Sequence, residues 1–451
     1  MNIKRKDFLA LGGLGLGAAT LAACGGPNTS GSQASTTAAT DWSKVTPAAE
    51  ISFLSSHPGS SQPIEQKLID DFQKANPGIK VSLITGGKNY EEVAQKFQTS
   101  QTSNDAADIV LASDVWWFRF AIAGTIIPLD DLLKAVNDPT NDFNTTLYND
   151  YQYDNSHWAV PNNRSTPLFY YNKDHFAAAG VPDRAPTTWD EFGQWAPKIK
   201  AANAGKAGYL NAYQYPALAD YAGWTLQNVL WGFGGGWSNE WTITADSDAT
   251  VKAMQWVQDG IVKDAWAGVS SKSATQDMTA GAVSATIGST GDLVTTLKAA
   301  KDVGMNVGVG FLPGGPVSTS PVCPTGGAGL AIAKKSSPER QLAAAKFLSF
   351  YTSAQNTAQF SAATGYMPSR TSADMSAVLA KTPEIQVALD QLKVTKSQDY
   401  ARVFLPGADQ EMAKAAAKIM NEKADVKTTL TALTTTLQGI YDKDVKPKLN
   451  S

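Results

Sequence analysis

Short strand-like segments alternate with helical segments in the first part of the chain, and this alternation constrains the fold more than any other feature. Residues 51–55, 79–83 and 108–112 have the apolar content of strands. The segments between them carry apolar residues at helical spacing, and Pro63 stands where a helix can begin. Because strands separated by helices pair mostly in parallel, we predict an α/β fold with largely parallel sheets. Ligands of such sheets bind at the carboxyl ends of strands, which makes Asp114 a candidate binding residue.

Residues 1–23 have the three-part layout of an export signal. Residues 4–6 are charged, and residues 8–23 are apolar, rich in glycine and shorter than the ~20 residues of a spanning helix. The small residues before Cys24 resemble the lipobox of bacterial lipoproteins, which implies cleavage before Cys24 and a lipid on its thiol. An ordinary signal peptide with an accidental cysteine is the alternative. Residues 5–9 also resemble a twin-arginine signal, with Arg-Lys in place of Arg-Arg, so the export route stays open.

Composition separates a flexible tether from a large folded part. Residues 24–48 are mostly Gly, Ser, Thr, Ala and Pro, which bury too little apolar surface to become ordered. Roughly 400 residues remain, enough for two or three domain-sized units. The formal net charge is −3 and no basic block occurs, so we expect no nucleic-acid partner.

Candidate catalytic and metal-binding groups are few. With Cys24 used for lipid, Cys323 is the only cysteine left, so neither an internal disulfide nor a cysteine metal cluster is expected. The histidines, His57, His157 and His175, are scattered and all precede Ser289, the wrong chain order for a nucleophile elbow. No zinc-protease or Walker-type motif occurs. We therefore expect a protein that is not an enzyme and holds no metal or cofactor, with a secreted carbohydrate hydrolase as the less favoured alternative.

An ordered series of short motifs covers almost all of the chain after the tether. The broad motifs are LIDDF at 68–72, NPGI at 76–79, ADIV at 107–110, FAIAGTIIPL at 120–129, YYNK at 170–173, PTTWDE at 186–191, FLSFYTS at 347–353 and TGYMP at 364–368. The narrower motifs are GKNY at 87–90, Asp114 with WWF at 116–118, RSTPL at 164–168, CPTGGAGL at 323–330 and DYARVFLPG at 399–407. With these motifs the chain resembles the extracellular solute-binding proteins of ATP-driven importers, in the large sugar-binding class. Within that class it is most similar to the binders of glycerol-3-phosphate and of glycerophosphodiesters such as glycerophosphocholine.

The resemblance implies two α/β lobes of the periplasmic-binding-protein type, with several crossovers of the chain and a ligand cleft between the lobes. With our boundaries, residues 49–160 and 290–350 form lobe 1, and residues 161–289 and 351–451 form lobe 2. The lobes are expected to close on the ligand by a hinge. The implied partners are a small-molecule ligand, permease subunits, and the membrane by way of the lipid anchor. We expect a monomer outside the cytoplasm.

The ligand residues implied by the resemblance lie far apart in the sequence. Those that would contact the ligand are Tyr90, Asp114, Ser165, Ser289, Gly327, Tyr366 and Arg402, with Trp231 on the opposite wall of the cleft.

Arginine suits a phosphate because its planar fork of N–H donors matches two phosphate oxygens. The alternative for Arg402 is a structural salt bridge to Asp399 or Asp409. A second basic ligand is not obvious from the sequence, since Arg164 and Lys88 belong to the motifs but can equally face solvent.

Asp114 and Trp231 have chemistry suited to the other parts of such a ligand. The Asp114 carboxylate would repel a phosphate but can accept hydrogen bonds from glycerol hydroxyls; its alternative role is the N-cap of a helix beginning at Val115. Trp231 precedes the glycine-rich residues 232–236, and aromatic faces attract a quaternary ammonium group. Aromatic side chains in such a region can also be core, and an oligosaccharide remains the alternative ligand.

Overall fold

Two five-stranded sheets organise the part of the chain that the computed structural model describes, residues 40–56, 61–103, 106–219 and 221–449. The first sheet has the strand order β2-β1-β3-β15-β6, and the second has the order β11-β8-β12-β7-β13. In chain order the strands are β1 Glu50–Ser55, β2 Lys80–Thr85, β3 Ile109–Ser113, β4 Gln152–Tyr153, β5 Ser156–His157, β6 Val160–Ser165, β7 Pro167–Asn172, β8 Asn211–Tyr215, β9 Ser238–Asn239, β10 Thr242–Ile243, β11 Ala267–Val269, β12 Val283–Ser289, β13 Val307–Gly310, β14 Cys323–Pro324, β15 Gly326–Ile332 and β16 Thr395–Lys396.

Each sheet contains a single reversed strand. In the first sheet β15 runs antiparallel to both of its neighbours, β3 and β6, while β1 pairs in parallel with β2 and β3. In the second sheet β7 runs antiparallel to β12 and β13, while β8 pairs in parallel with β11 and β12. The expectation of largely parallel pairing is therefore wrong for half of the neighbouring pairs. The physical reason is that β7 and β15 are the strands through which the chain enters from the other sheet, at the edge where the remaining strands end.

Helices cover both sheets. Their bounds are α1 Gln62–Ala75, α2 Tyr90–Ser100, α3 Trp117–Ile122, α4 Asp130–Ala135, α5 Thr145–Asn149, α6 Lys173–Ala178, α7 Trp189–Asn203, α8 Ala222–Thr225, α9 Gln227–Gly232, α10 Asp248–Val262, α11 Ala274–Thr279, α12 Leu293–Asp302, α13 Pro338–Tyr351, α14 Ala354–Thr364, α15 Ser376–Lys381, α16 Ile385–Leu392, α17 Tyr400–Val403, α18 Ala408–Met420, α19 Val426–Ile440 and α20 Lys446–Leu449, with short 3-10 turns at Trp42–Lys44, Thr140–Asp142 and Thr290–Asp292 and a π-helical turn at Tyr441–Val445. No helix of the described ranges combines the length and the apolar character that a membrane span requires.

Strand pairing places two stretches on the other side of our predicted lobe boundaries. β6 belongs to the first sheet, although the boundary at residue 161 assigns most of it to lobe 2. β13 belongs to the second sheet, although it falls within residues 290–350 of lobe 1. Helix α14 likewise packs its Phe360 into the core of the first sheet. A strand joins the sheet that holds its hydrogen-bonding partner, and chain position does not reveal that partner.

The folded part begins earlier than the predicted tether boundary. Trp42, Val45 and Ala48 pack against the core of the first sheet, and the Ala48 amide donates to the Glu339 carbonyl over 2.9 Å. The end of the predicted tether is therefore wrong by several residues, because these apolar side chains find a surface that composition alone does not show. The predicted signal, Cys24 and the tether up to residue 39 lie outside the described residues.

Aromatic packing holds the first sheet against its helices. Phe72 of α1 meets Phe347 of α13 edge-on with ring centroids 5.1 Å apart, and Phe53 of β1 lies 5.9 Å from Tyr351. All four rings are buried. Offset and edge-on pairs of this kind add about 0.5–1.5 kcal/mol each beyond burial of their area. This packing holds the strands of the first sheet in place, and with them the strand ends that reach the cavity.

A candidate ligand-binding cavity

A cavity of about 450 Å³ lies where the two sheets face each other. It is lined by Asn89, Tyr90, Glu91, Ser113, Asp114, Val115, Ser165, Ala219, Tyr221, Trp224, Ser289, Asp292, Gly326, Gly327, Tyr366, Arg402, Asp409, Gln410, Ala413 and Lys414. Seven of the eight side chains expected from the sequence are in this set, and Trp231 is not.

Strand ends supply four of the expected residues. Asp114 follows the last residue of β3, Ser165 ends β6 and Ser289 ends β12, while Gly327 lies at the start of the reversed strand β15. All of these positions fall on the edges at which the two sheets meet, since β15 begins where its neighbours end. This is the edge at which ligands of α/β sheets bind.

Helix ends supply the aromatic residues. Asn89 caps α2 by accepting a hydrogen bond from the Glu92 amide, which fixes Tyr90 in the first turn at the cavity. Gly365, with φ of 94°, ends α14 and turns the chain so that Tyr366 follows. Although Tyr90 and Tyr366 are far apart in the sequence, their hydroxyl groups are 3.3 Å apart in the structure, within hydrogen-bond distance. Burial raises the pKa of Tyr366 to about 12, so this hydroxyl remains a donor at any physiological pH.

Arg402 lines the cavity and also makes the salt bridge that we considered as its alternative. Its Nε donates to Asp409 over 2.8 Å, and its Nη1 donates to the side-chain oxygen of Gln398. Within the described residues, no protein partner lies at Nη2 of Arg402. A guanidinium has five N–H donors, so three of them remain available to a ligand.

Asp114 is held by two donors and does not cap a helix. Arg164 Nη1 donates to its Oδ1 and Gln398 Nε2 donates to its Oδ2 over 2.8 Å. The helix that follows begins at Trp117 without a side-chain cap, so the N-cap alternative for Asp114 is wrong. Each carboxylate oxygen accepts one of these bonds and keeps further lone pairs for a ligand.

Arg164 is not a second basic ligand for an anion. Its side chain is fully buried and paired with Asp114 and Asp150, and it also donates to the Tyr151 hydroxyl over 2.6 Å. The adjacent carboxylates keep the pKa of Arg164 above its usual value despite the burial. Arg164 therefore holds the Asp114 carboxylate in position from the protein interior. Lys88, the other basic residue considered, is not among the residues lining the cavity.

Trp231, which we expected on the opposite wall of the cleft, does not line the cavity. Its Nε1 donates to Asp399 over 3.0 Å, and the ammonium group of Lys396 lies 3.8 Å from the ring centroid. A cation of the protein itself thus occupies the face that we expected to hold a ligand cation. The sequence around Trp231 does not show whether a side chain of the protein covers an aromatic ring or leaves it open to a ligand.

Trp224, and not Trp231, is the tryptophan that lines the cavity. Its Nε1 donates to the Thr325 carbonyl over 2.9 Å, and its ring lies against the backbone of β15. A Cβ at Gly326 would come within 2.5 Å of the indole, so only glycine lets the ring lie there. Tyr221 meets Trp224 edge-on, with ring centroids 6.1 Å apart. The aromatic cluster in the sequence contained Trp224, but no pattern singled it out.

Asp292 is a charged lining residue that the sequence analysis did not predict. It follows Ser289 by three positions in a 3-10 turn, and within the described residues no donor bonds to its carboxylate. Asp292 is exposed, and the protein around its carboxylate removes part of the water that would stabilise the charged form, which raises the pKa of Asp292 to about 6. The glycine-flanked turn that contains Ser289 was the only sign of this position in the sequence.

The other charged residues of the lining have partners. Glu91 accepts from Trp116 Nε1 over 2.9 Å, and Lys414 pairs with Glu411 outside the cavity over 2.7 Å. Asp409 is neutralised by Arg402. Asp292 is therefore the charge in the described lining that lacks a protein partner, and Arg402 is the buried cation of the lining with unused donors.

The remaining titratable candidates of the sequence are structural. His175 bonds to Ser284, and burial lowers its pKa to about 4. His157 bonds to Asp130, and burial raises the pKa of the Cys323 thiol. His57 lies outside the described residues. In the ranges that the structure describes, no group of three acidic, histidine or cysteine side chains could hold a metal ion.

The known proteins most similar to this chain in sequence or structure include several solute-binding proteins. The structure of UgpB from Mycobacterium tuberculosis in complex with glycerophosphocholine is 42% identical in sequence, with a TM-score of 0.82 over 88% of this chain and 100% of that chain. The sn-glycerol-3-phosphate-binding periplasmic protein UgpB of Salmonella typhimurium is 28% identical over 322 residues, which are 68% of this chain and 71% of the relative. Maltose-bound MalE3 of T. maritima, 21% identical with a TM-score of 0.75 over 87% of this chain and 100% of that chain, shares the fold.

The predicted fold class is confirmed by these neighbours, which have the same architecture over most of their length. The expectation that the chain is a binding protein and not an enzyme is also confirmed by its relatives. Residues 67–387, most of the folded part, match the family of bacterial extracellular solute-binding proteins. The chain belongs to the bacterial extracellular solute-binding proteins.

Proposed function

We propose that this protein is the substrate-binding protein of an ATP-driven (ABC) importer and captures a glycerophosphodiester, with glycerophosphocholine as the best-fitting ligand. The observation that carries the proposal is the composition of the cavity, which offers one buried cation with free donors, one unpaired carboxylate and several aromatic faces. The related UgpB proteins support the same ligand class, because one is an sn-glycerol-3-phosphate-binding protein and another has been solved in complex with glycerophosphocholine.

Each part of glycerophosphocholine has a complementary group in the lining. The three free N–H groups of Arg402 suit the phosphodiester oxygens. Asp114 keeps lone pairs for the glycerol hydroxyls, and the Ser165 hydroxyl lies at the adjacent strand end. The faces of Trp224 and Tyr221 suit a trimethylammonium group, which aromatic rings attract. The ligand roles of these residues and of Tyr90, Ser289, Gly327 and Tyr366 are part of this proposal.

Charge distinguishes glycerophosphocholine from sn-glycerol-3-phosphate. Because Asp409 already neutralises Arg402, a bound phosphate adds negative charge to a lining in which Asp292 is unpaired. A zwitterion brings its own ammonium group and leaves the cavity balanced. The phosphomonoester carries a charge of about −1.5 to −2 at pH 7 and has no cation to offset it. We therefore expect the zwitterionic diester to bind more tightly.

Calorimetric titration of the purified protein with three ligands tests the proposal. Glycerophosphocholine should bind tightest, sn-glycerol-3-phosphate should bind about tenfold more weakly or worse because like charges in a cavity repel, and maltotriose should give no heat. Recovery of each ligand unchanged checks that no reaction occurs. Binding of maltotriose without binding of either phosphate ester would replace the proposal with the oligosaccharide alternative.

The anchor and the partners extend the proposal to the cell. We propose that the Cys24 thiol carries a lipid that holds the protein at the outer face of the membrane beside the permease subunits, where it acts as a monomer. Support comes from the lipobox-like sequence before Cys24 and from the family, which is extracellular. A Cys24→Ser variant that still incorporated labelled fatty acid would refute the anchor.

A further inference from the structure

The side chain of Gln398 lies between the two oppositely charged residues of the cavity. Its Nε2 donates to Asp114 Oδ2 over 2.8 Å, and its Oε1 accepts from Arg402 Nη1. Gln398 is 5% exposed and is not among the residues lining the cavity. The carboxylate and the guanidinium are therefore separated by one amide group and do not contact each other.

The orientation of this amide is fixed by its surroundings. Gln227 Nε2 donates to the same Oε1 over 3.2 Å, so the oxygen receives two donors. A flipped amide would turn its NH2 group toward these donors and its oxygen toward the carboxylate of Asp114, and both contacts would be repulsive. Gln227 is itself fixed, because its Oε1 accepts from the Asp399 amide over 2.9 Å.

We infer that Gln398 is a positioning residue that keeps Asp114 and Arg402 apart, so that each stays free to bind its own part of the ligand. The inference rests on the proposed function for the identity of the ligand. Charged groups in a cavity with little water attract each other strongly. Without a spacer, the flexible Arg402 side chain can close on Asp114, and the donors that suit a phosphate become occupied by the protein.

Gln398 also connects parts of the chain that are far apart in the sequence. Asp114 follows β3 of the first sheet, whereas Arg402 lies in α17, whose Ala401 packs into a core that contains strands of both sheets. One amide group thus sets the distance between the Asp114 carboxylate and the Arg402 guanidinium. Neither Asp114 nor Arg402 can move without breaking its buried hydrogen bond to Gln398. A buried polar group that loses its hydrogen-bond partner destabilises the protein.

A double-mutant cycle on glycerophosphocholine affinity tests the inference. Gln398→Met keeps a side chain of similar length without hydrogen bonds, and we expect it to lower the affinity at least about tenfold. Arg402→Gln should have a comparable effect in the wild-type background but less than about threefold in the Gln398→Met background, because the guanidinium is already lost to Asp114. Equal effects of Arg402→Gln in both backgrounds would overturn the spacer role, since a purely structural loss is additive.

A second variant tests the same role without removing the polar contact. The carboxyl group introduced by Gln398→Glu can donate to Asp114 and accept from Arg402 when protonated, as the amide does, but repels Asp114 when ionised. The affinity of Gln398→Glu relative to wild type should therefore rise as the pH falls from 8 to 5. A ratio that stays constant over this range would contradict the spacer role.

Gln258→Leu is the control for loss of a hydrogen-bonded glutamine outside the cavity. Gln258 is half-buried, its Nε2 donates to the Ile419 and Ala424 carbonyls over 2.9 and 2.8 Å, and none of the three residues lines the cavity. We expect a lower melting temperature and an unchanged affinity. If wild type fails to bind glycerophosphocholine, the proposed function fails; if wild type binds and the cycle is additive, only the role of Gln398 fails.

Discussion

Trp224 and Trp231 lie seven positions apart, and each donates its indole N–H to an oxygen of the protein. They differ in what covers the ring. Lys396 covers Trp231, whereas the Trp224 ring faces the cavity beside Tyr221. Both side chains are about equally buried, with 5% of their surface exposed, so burial does not separate a ligand contact from a core residue here.

These two tryptophans form a matched pair for mutation. Trp224→Ala should weaken binding of glycerophosphocholine by about 1–2 kcal/mol, because the ammonium group loses an aromatic face, and should affect sn-glycerol-3-phosphate less. Trp231→Ala should lower the melting temperature and leave the preference between the two ligands unchanged. Calorimetric titration of both variants with both ligands measures this. A larger loss of choline selectivity in Trp231→Ala would reverse the assignment.

The unpaired carboxylate of Asp292 predicts a pH dependence. Its pKa is raised to about 6, so the group is neutral below that pH and ionised above it. An anionic diester without an ammonium group, such as glycerophosphoglycerol, should therefore bind more tightly as the pH falls from 8 to 5, by about three- to tenfold. Asp292→Asn should give the tighter binding at pH 8 and remove the dependence.

Asp302→Asn is the control for this experiment. Asp302 ends α12, the helix that begins directly after Asp292, and it is exposed and pairs with Lys298. Its replacement should leave both the affinity and its pH profile unchanged. If Asp292→Asn retains the wild-type pH profile, another group controls the binding of the anion.

At the scale of elements, the site is built from the ends of strands and helices. β3, β6 and β12 end at the cavity and β15 begins there, because β15 runs against its neighbours. A register irregularity between Gly327 and Gly329 occurs where β15 meets β6. Such a bulge turns the strand locally and exposes backbone at the cavity.

Gly327 should be intolerant of substitution. Its φ of 112° is unfavourable for any side chain, and a Cβ would lie 1.8 Å from the Asn163 carbonyl oxygen. Gly327→Ala should lower the free energy of unfolding by at least about 2 kcal/mol, measured by urea denaturation. Gly180→Ala, where φ is 63° and no atom lies within 4 Å of the added Cβ, should cost only about 1 kcal/mol. Equal losses would show that the clash at Gly327 is relieved by movement.

Helix starts carry local signals that a turn between two helices lacks. The sequence predicts Thr187 or Thr188 as a helix cap, and the Thr188 hydroxyl accepts from the Glu191 amide over 3.1 Å; Pro63 lies in the first turn of α1, as predicted. Helical patterns from residue 409 to about 446 predict one long tail helix, which is wrong, because the chain turns between α18 and α19, where Lys423 has φ of 59°. Capping residues are local signals, whereas a turn between two amphipathic helices depends on the surface against which they pack.

For the whole molecule, the chain crosses between the sheets within a single residue. β6 ends at Ser165 in the first sheet and β7 begins at Pro167 in the second, with Thr166 between them. Gln391 holds this crossing by donating to the Thr166 hydroxyl over 2.9 Å. Residues 164–173 are strand-like throughout and predict one continuous strand, because a strand pattern in the sequence does not reveal a change of sheet.

The sequence by itself determined the fold class and the residues of the cavity that its motifs contain. Local patterns sufficed for β1, β2 and β3 and for the start of α1, and motif order sufficed to bring Tyr90, Asp114 and Arg402 to the cavity, because these residues keep their places relative to fixed elements. Tertiary structure alone decided sheet membership, the pairing of Asp114 with Arg164, the replacement of Trp231 by Trp224, and the positions of Asp292 and Gln398. These depend on which side chains meet across hundreds of residues, and such contacts follow from packing in three dimensions and not from local spacing.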